Sequence, residues 1–382
     1  MRTLSEAPGP VTAEQSSSAA FANILQQDFS SFGESKEAAG NREDNEGNYG
    51  KPQKPWLTGS PGETMPIKSK TPAPVTAEQT CSEAFETILR HNFTYLVEWE
   101  GAARSWEDIE GVHQFRVTIR RMRSALTLFQ NAIPKAVLDP VGEEMRWVAG
   151  ELGLARDLDV FISEGLAAVA GRVPLSGEDK LQALAEQRRI RAYEDQVRPM
   201  LDSDRYKRFK TSFADWLDKQ AWKHADLTKK QAKRQASSIV PFSRKLMDKQ
   251  ERRVLTAGSN VDRDDAAAMH QLRIECKKLR YAVEFFSPLF HEMDIFVSHM
   301  KGLQDLLGTM NDVAVTKHLL DDLLAEETNH EVLIYAGGLL GWRTCDFCHL
   351  LQKFDFYWEE MVEAKHPWWK KSAAAHAGQG AK

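Results

Sequence analysis

Two stretches of the chain share one spacing of His, Arg and Lys. The first is VHQFRVTIRRMRSALTLF at 112–129, and the second is MHQLRIECKKLRYAVEFF at 269–286. Steps of three, four and three residues separate the basic side chains, so on a helix they form one row along a single side. Each row could bind phosphate oxygens, because Arg presents a planar fork of donors and Lys a point charge. The two rows comprise His113, Arg116, Arg120 and Arg123 in the first stretch and His270, Arg273, Lys277 and Arg280 in the second.

Each row of like charges destabilises its own helix. Neighbouring cations three or four residues apart repel by roughly 0.2–0.5 kcal/mol per pair, and a helix selected only for stability would place acids between them. A solvated charged face is the alternative, but it gives no reason for the same register to recur with His at the same end. We therefore predict that the rows line a polyanion site. Arg121 and Lys278 lie off the rows and are expected to be solvated.

The elements that must position these rows are helical. From about 80 to 366 apolar residues recur at steps of three and four, and the alternation typical of strands is scarce. A second motif also occurs twice, as LGLARDLDV at 152–160 and LGTMNDVAV at 307–315. Two motifs repeated in the same order predict an all-α fold of two related bundles about a pseudo-twofold axis. We place the first bundle at about 76–225, the second at about 238–366, and a C-terminal tail at 367–382.

The first 72 residues differ in composition from the rest of the chain. They are rich in Gly, Pro, Ser, Asn and Glu, and such a segment cannot bury enough apolar surface to fold, so we predict disorder. The segment carries a copy of the first domain helix: PVTAEQ at 10–15 recurs at 74–79, and apolar positions of about 12–32 recur at about 76–96. The Thr and Gln of each TAEQ predict a capping box at the helix start.

These motifs resemble the CHAD domain, a family named for a histidine-bearing α-helical domain. The resemblance covers roughly 80–366 and also includes LQDLLGTMNDVAV and GGLLGWRTCDF. It implies two four-helix bundles with a basic channel between them that binds inorganic polyphosphate, often at polyphosphate granules. Arg156 is a further implied lining residue, whose counterpart is Asn311. Asp157 and Asp312 occupy matching places, where they could hold the cations, cap a helix or form contacts between helices. The implied site comprises His113, Arg116, Arg120, Arg123, Arg156, His270, Arg273, Lys277 and Arg280, with Arg188, Arg191, Lys207 and Arg208 as further candidates.

Composition and motifs narrow the function. The net charge of −5 predicts no bulk attraction to nucleic acid or anionic membranes, and no apolar run is long enough for a transmembrane helix. The start lacks the order of a secretion signal, so we expect a cytoplasmic protein, associated with polyphosphate granules, that needs no cofactor. The Glu-x-Glu-x-Lys mark of the catalytic domain often fused to CHAD domains and a phosphate-binding Gly-rich loop are both missing, so a non-enzymatic polyphosphate binder is predicted.

Two alternatives remain open. In a metal-dependent phosphohydrolase, His113 and His270 would bind a divalent ion together with Asp157 or Asp312, although the neighbouring cations would repel it. In a nucleic-acid-binding module the cations would neutralise phosphates. The rows lack interleaved aromatic residues for stacking bases, and nucleic acid is therefore not the expected partner.

Overall fold

The computed structural model describes residues 73–369, and within that range every extended regular element is a helix. The predicted all-α class is confirmed. The predicted disordered segment 1–72, with its helix copy at 12–32, lies outside the described residues. The first half contains α1 (Cys81–Trp99), α2 (Ile109–Phe129), α3 (Lys135–Glu151), α4 (Gly153–Val160), α5 (Glu178–Ala192), α6 (Arg198–Asp202) and α7 (Asp204–Asp218). After the connecting α8 (Lys229–Gln235), the second half contains α9 (Ile239–Gly258), α10 (Ala266–Phe286), α11 (Met293–Leu323), α12 (His330–Leu351) and α13 (Phe354–Glu363).

Side-chain caps mark where the central helices begin. Asp108 accepts a hydrogen bond from the N–H of Glu110 at the start of α2, and Asp265 caps α10 in the same way. Such caps replace hydrogen bonds that the first turn of a helix cannot make internally. The predicted capping box at the TAEQ motif is wrong, because α1 begins later, with Thr80 as its cap and Glu83 as the reciprocal partner. The two central helices each have 21 residues, and each basic row begins five residues after the cap.

The apolar rows of α2 and α10 form the core of each half. Every member is buried, and full burial of one such side chain contributes about 1.5–3 kcal/mol. α2 packs on α1, and α10 packs on α9. The two rows comprise Val112, Phe115, Ile119, Met122, Leu126 and Phe129 in α2 and Met269, Leu272, Cys276, Leu279, Val283 and Phe286 in α10. Burying these rows turns the neighbouring basic rows towards the junction between the halves.

The two halves meet through helices that hold corresponding places in the chain. α1 contacts α9, α2 contacts α10, and α5 contacts α12. Thr80 and Ser238, which cap α1 and α9, face each other in an isolated antiparallel bridge. The N–H that follows each cap residue donates to the carbonyl that precedes the opposite one, at 2.9 Å in both cases. This reciprocal pairing is what a twofold relation between the halves would produce.

The chain continues past the predicted end of the second bundle. Pro367–Trp369 form a short helical turn, and Trp368 is fully buried. The indole Nε1 groups of Trp368 and Trp369 both donate to Asp248 of α9. These contacts attach the end of the described chain to the second half.

Candidate functional site

A cavity of about 650 Å³ lies between α2, α3 and α10. Both basic rows contribute to its wall, so the side chains that are far apart in sequence converge on one space. Its basic lining comprises Arg120 and Arg123 from α2, Lys135 and Arg146 from α3, and His270, Arg273, Lys277 and Lys278 from α10. Of the predicted site residues, five line the cavity and four, His113, Arg116, Arg156 and Arg280, do not.

Arg116 is buried beside the cavity rather than exposed in it. Its Nη1 donates to the carbonyl of Ala149 at 2.8 Å, and only 2% of the residue is exposed. Burial lowers the pKa of Arg116 to about 10, and the nearby carboxylate of Asp157 partly opposes that shift. Its positive charge repels the neighbouring cations Arg120 and Lys277, so Arg116 adds to the positive potential of the wall without lining it.

Arg273 has the corresponding environment in the second half. Burial lowers its pKa to about 10, and Asp312 opposes the shift, as Asp157 does for Arg116. Unlike Arg116, Arg273 also lines the cavity. Asp157 on α4 and Asp312 on α11, which hold matching places in the second repeated motif, therefore act on corresponding arginines.

Arg156 is buried on α4, outside the cavity lining. Burial lowers its pKa, and Asp159 opposes this. Asp159 accepts a hydrogen bond from the hydroxyl of Tyr193 and pairs with Nε of Arg189, both at 2.8 Å. Arg156 thus belongs to a buried network of the first half. At the corresponding position of the second half, Asn311 is also buried.

Lys277 lies within electrostatic reach of both basic rows. The pKa of Lys277 lies well below 10.5, mainly because the side chain is buried. The positive charges of four arginines lower it further, in the order Arg273, Arg120, Arg280 and Arg116. The charges named come from both α2 and α10, so the two rows interact electrostatically across the junction. Removing water and adding like charges both disfavour the ammonium form. Burial and the neighbouring arginines therefore disfavour the protonated form of Lys277, which is the form that attracts an anion.

The pKa of His270 is lowered, as that of Lys277 is. Burial, with Arg273 and Lys277 nearby, lowers its pKa from 6.5 to about 4. The imidazole is therefore neutral at physiological pH, and a neutral imidazole can still donate one hydrogen bond. A bound polyanion would favour the charged form of both His270 and Lys277.

Arg121 corrects the expectation drawn from the spacing. It was expected to be solvated, yet it is 7% exposed and pairs with Glu284 of α10 at 3.2 Å. Glu284 also pairs with Arg280 at 3.3 Å. The side of α2 that lies off both rows faces the second half rather than water, because α10 crosses there. Lys278, for which the same solvated position was predicted, lines the cavity instead, and its ammonium pairs with Glu275 at 2.8 Å.

The wall formed by α3 was missed in the sequence. Lys135, Asp139, Glu143 and Arg146 recur at steps of four, four and three residues, and all line the cavity. The helical spacing of these four residues could have predicted that they share one face of α3. Because that face carries both acids and bases, it resembles an ordinary solvated face. The further candidates Arg188, Arg191, Lys207 and Arg208 do not line the cavity.

The metal-binding alternative finds no support in the arrangement of side chains. Within residues 73–369, no three His, Cys, Asp or Glu residues are placed to hold one metal ion. His113 is buried and lies outside the cavity lining, whereas His270 lines it. The two histidines therefore do not share the space that a common ion would occupy.

The family model described as CHAD domain matches residues 87–321. The chain belongs to the CHAD domain family. This family is associated with polyphosphate binding. In the described part of the chain, no helix combines the length and apolarity needed to cross a membrane.

Solved structures share the fold. A CHAD domain from the plant Ricinus communis superimposes with a TM-score of 0.67 at 26% identity, over 80% of this chain and 99% of that domain. PptA from Streptomyces chartreusis superimposes with a TM-score of 0.53 at 19% identity, over 75% of this chain and all of that one. The second similarity is one of fold alone.

Two uncharacterized proteins of Mycobacterium tuberculosis are also similar in sequence. MT2285 of strain CDC 1551 and Rv2226 of strain H37Rv are each 28% identical over 275 residues. The match covers 71% of this chain and 50% of each relative. This CHAD chain thus spans about half the length of those proteins.

Proposed function

We propose that the cavity between α2, α3 and α10 binds inorganic polyphosphate and that the domain does so without catalysing a reaction. One observation carries the proposal: the basic rows of both halves converge on a single cavity. Seven Lys or Arg side chains line it against two acids, Asp139 and Glu143. Folding brings these cations together at an electrostatic cost, which a polyanion would offset.

Polyphosphate suits the cavity better than nucleic acid. Among the residues that line the cavity, Tyr281 is the single Phe, Tyr or Trp, and its hydroxyl accepts a hydrogen bond from Nε of Arg120 at 3.1 Å. Proteins that bind single strands offer aromatic faces on which successive bases stack. The guanidinium and ammonium groups of this cavity can instead donate charge-assisted hydrogen bonds to phosphate oxygens, which every unit of polyphosphate offers.

The proposal extends to the setting of the protein. Since the ligand would be a soluble or granular polyanion, we place the protein in the cytoplasm at polyphosphate granules. Fluorescence microscopy of the tagged full chain tests this location, and a signal that does not follow the granules contradicts it.

Calorimetric titration of the full chain with long-chain polyphosphate tests binding. Arg120→Ala combined with Arg273→Ala is expected to weaken affinity at least tenfold, since each charge-assisted hydrogen bond contributes about 1.5–3 kcal/mol. The matched control is Lys245→Ala with Lys249→Ala, which removes two exposed cations from α9, away from the cavity. Equal affinity of the two double variants would overturn the proposal.

Two further measurements separate the alternatives. Lys135→Ala with Arg146→Ala removes exposed cations of the α3 wall, so it tests the cavity without touching buried side chains. Single-stranded RNA should compete weakly with polyphosphate for the wild-type protein. Release of inorganic phosphate on addition of a divalent metal would show catalysis and favour the phosphohydrolase.

A further inference from the structure

We propose that α8 extends the binding site beyond the cavity, so that the domain prefers long polyphosphate chains to short ones. This inference rests on the proposed function and names the class of polyphosphate that the site takes. One part of a long chain lies in the cavity, and the part that continues past the α2–α3 turn contacts Lys230, Lys233 and Arg234 of α8.

The segment that joins the two halves is a basic part of an acidic chain. The net charge of the whole sequence is −5. Between 223 and 234, however, there are five Lys or Arg residues and a single acid, Asp226. The lysines of this segment are all exposed, namely Lys223, Lys229, Lys230 and Lys233. The connection between the halves therefore offers a positive surface that the net charge does not reveal.

α8 places three of these cations on one face. Lys233 and Arg234 follow Lys230 by three and four residues, so the three side chains are neighbours on a helix. Thr228 caps α8 and Gln231 completes a capping box, which defines the start of this short helix. Neighbouring cations at this spacing repel each other. A bound anion would remove that cost.

Two hydrogen bonds fix α8 to the turn between α2 and α3. Nη1 of Arg234 donates to the carbonyl of Asn131 at 2.7 Å. Nε2 of Gln235, a buried side chain, donates to the carbonyl of Ala132 at 3.2 Å. The position of the basic face of α8 is therefore set by the same turn that connects two walls of the cavity.

This turn also borders the cavity. Gln130, which precedes Asn131, and Lys135, which opens α3, both line the cavity. The carbonyl that Arg234 binds thus belongs to the residue next to the cavity wall. A guanidinium has five N–H donors, and this hydrogen bond uses one of them. The basic lining of the cavity therefore continues through Lys135 and Arg234 towards the exposed lysines of α8.

This continuity determines which anion gains most from the site. A linear polyphosphate carries negative charge on every unit, so a chain that leaves the cavity can bind further cations. These contacts form at a high effective concentration, because the chain is already bound. Tripolyphosphate is small enough to be held within the cavity of about 650 Å³ and gains nothing from α8. Single-stranded RNA is disfavoured, because the seven residues of α8 include no Phe, Tyr or Trp on which a base could stack.

Calorimetric titration of the full chain with tripolyphosphate and with long-chain polyphosphate tests the role of α8. In the variant Lys230→Ala with Lys233→Ala, the affinity for long-chain polyphosphate is expected to fall about fivefold, as for the loss of two exposed ionic contacts. The affinity for tripolyphosphate should not change. The salt dependence of long-chain binding should become shallower, because each lost phosphate contact releases one counterion fewer. Both lysines are exposed, so the melting temperature without ligand should match that of the wild type.

The matched control is Lys245→Ala with Lys249→Ala, which removes two exposed lysines of α9 and should leave both affinities unchanged. An α8 variant that loses affinity for both ligands alike, or for neither, overturns the role of α8, and so does a control with the same selective loss. Loss of RNA binding without loss of long-chain polyphosphate binding would assign α8 to nucleic acid instead. In each of these cases the polyphosphate function stands, because the wild type still binds tripolyphosphate. A wild-type protein that binds neither polyphosphate overturns the function itself.

Discussion

Arg121 of α2 and Glu284 of α10 form an ion pair of 3.2 Å that joins the two halves of the domain. The side chains are 9% and 20% exposed. Arg121→Ala should lower the free energy of unfolding by about 2 kcal/mol, below the 3–5 kcal/mol of a fully buried pair, because Glu284 keeps Arg280 and some solvent. Urea unfolding followed by circular dichroism measures this.

Lys278→Ala is the matched control for that prediction. Lys278 holds the corresponding place on α10, and its ammonium pairs with Glu275 on the same helix, with the Lys side chain 34% exposed. Such a pair contributes at most about 1 kcal/mol. Equal destabilisation by the two substitutions would contradict the role assigned to the contact between the halves.

Polyphosphate affinity should fall as pH rises from the lowered pKa of Lys277 towards 10.5. Burial and the surrounding arginines lower this pKa in the empty cavity, and a bound polyanion raises it again, so binding takes up a proton between the two values. The other charges that border the cavity, on α3, are Lys135, Asp139, Glu143 and Arg146. Calorimetry in two buffers of different ionisation enthalpy counts the protons.

Lys277→Arg distinguishes this residue from the titration of the ligand's own terminal phosphates. Arg stays charged throughout the accessible pH range, so the variant should take up fewer protons and show a flatter pH profile. The same proton uptake in the variant and the wild type would assign the linkage to another group.

Polyphosphate should raise the melting temperature of the domain, and salt should reduce that gain. A ligand that binds only the folded state adds about 2.7 kcal/mol at a hundredfold excess over Kd. Salt screens the repulsion between the basic rows and so stabilises the empty protein slightly, but it also competes for the cavity. Thermal melts at low and physiological ionic strength, with and without ligand, measure both effects. A melting curve that ignores polyphosphate at low salt would contradict them.

A chain that begins at Ala73 should fold and bind as the full chain does. The helix copy at 12–32 keeps the apolar positions that are buried in α1, such as Phe85 and Ile88, but replaces Glu83 and Arg90 by Ala19 and Gln26. It therefore lacks the capping-box partner of Thr80 and the 2.8 Å ion pair with Asp218. Melting temperature and polyphosphate affinity of the shortened chain check this, and unfolding on truncation would give the segment a structural role.

Helical periodicity predicted the apolar rows and the convergence of basic side chains, because burying one face of a helix orients the face beside it. It could not predict the environment of Arg121, since the spacing along α2 says nothing about which helix crosses its remaining side. The α3 wall was missed for a related reason. Lys135 and Arg146 flank two acids on the same face of α3, and only the position of α3 beside α2 turns that face towards the cavity.

The reciprocal bridge between Thr80 and Ser238 has a consequence for how this molecule can be altered by mutation. In a homodimer such a contact is isologous, and any substitution appears on both sides of the axis. Here each half is encoded separately, so Tyr281 can differ from Ser124 and Glu284 from Thr127. A dimer of identical halves could not bury Arg121 in one half while its counterpart, Lys278, lines a cavity in the other. Joining the halves in one polypeptide is what allows corresponding positions to differ.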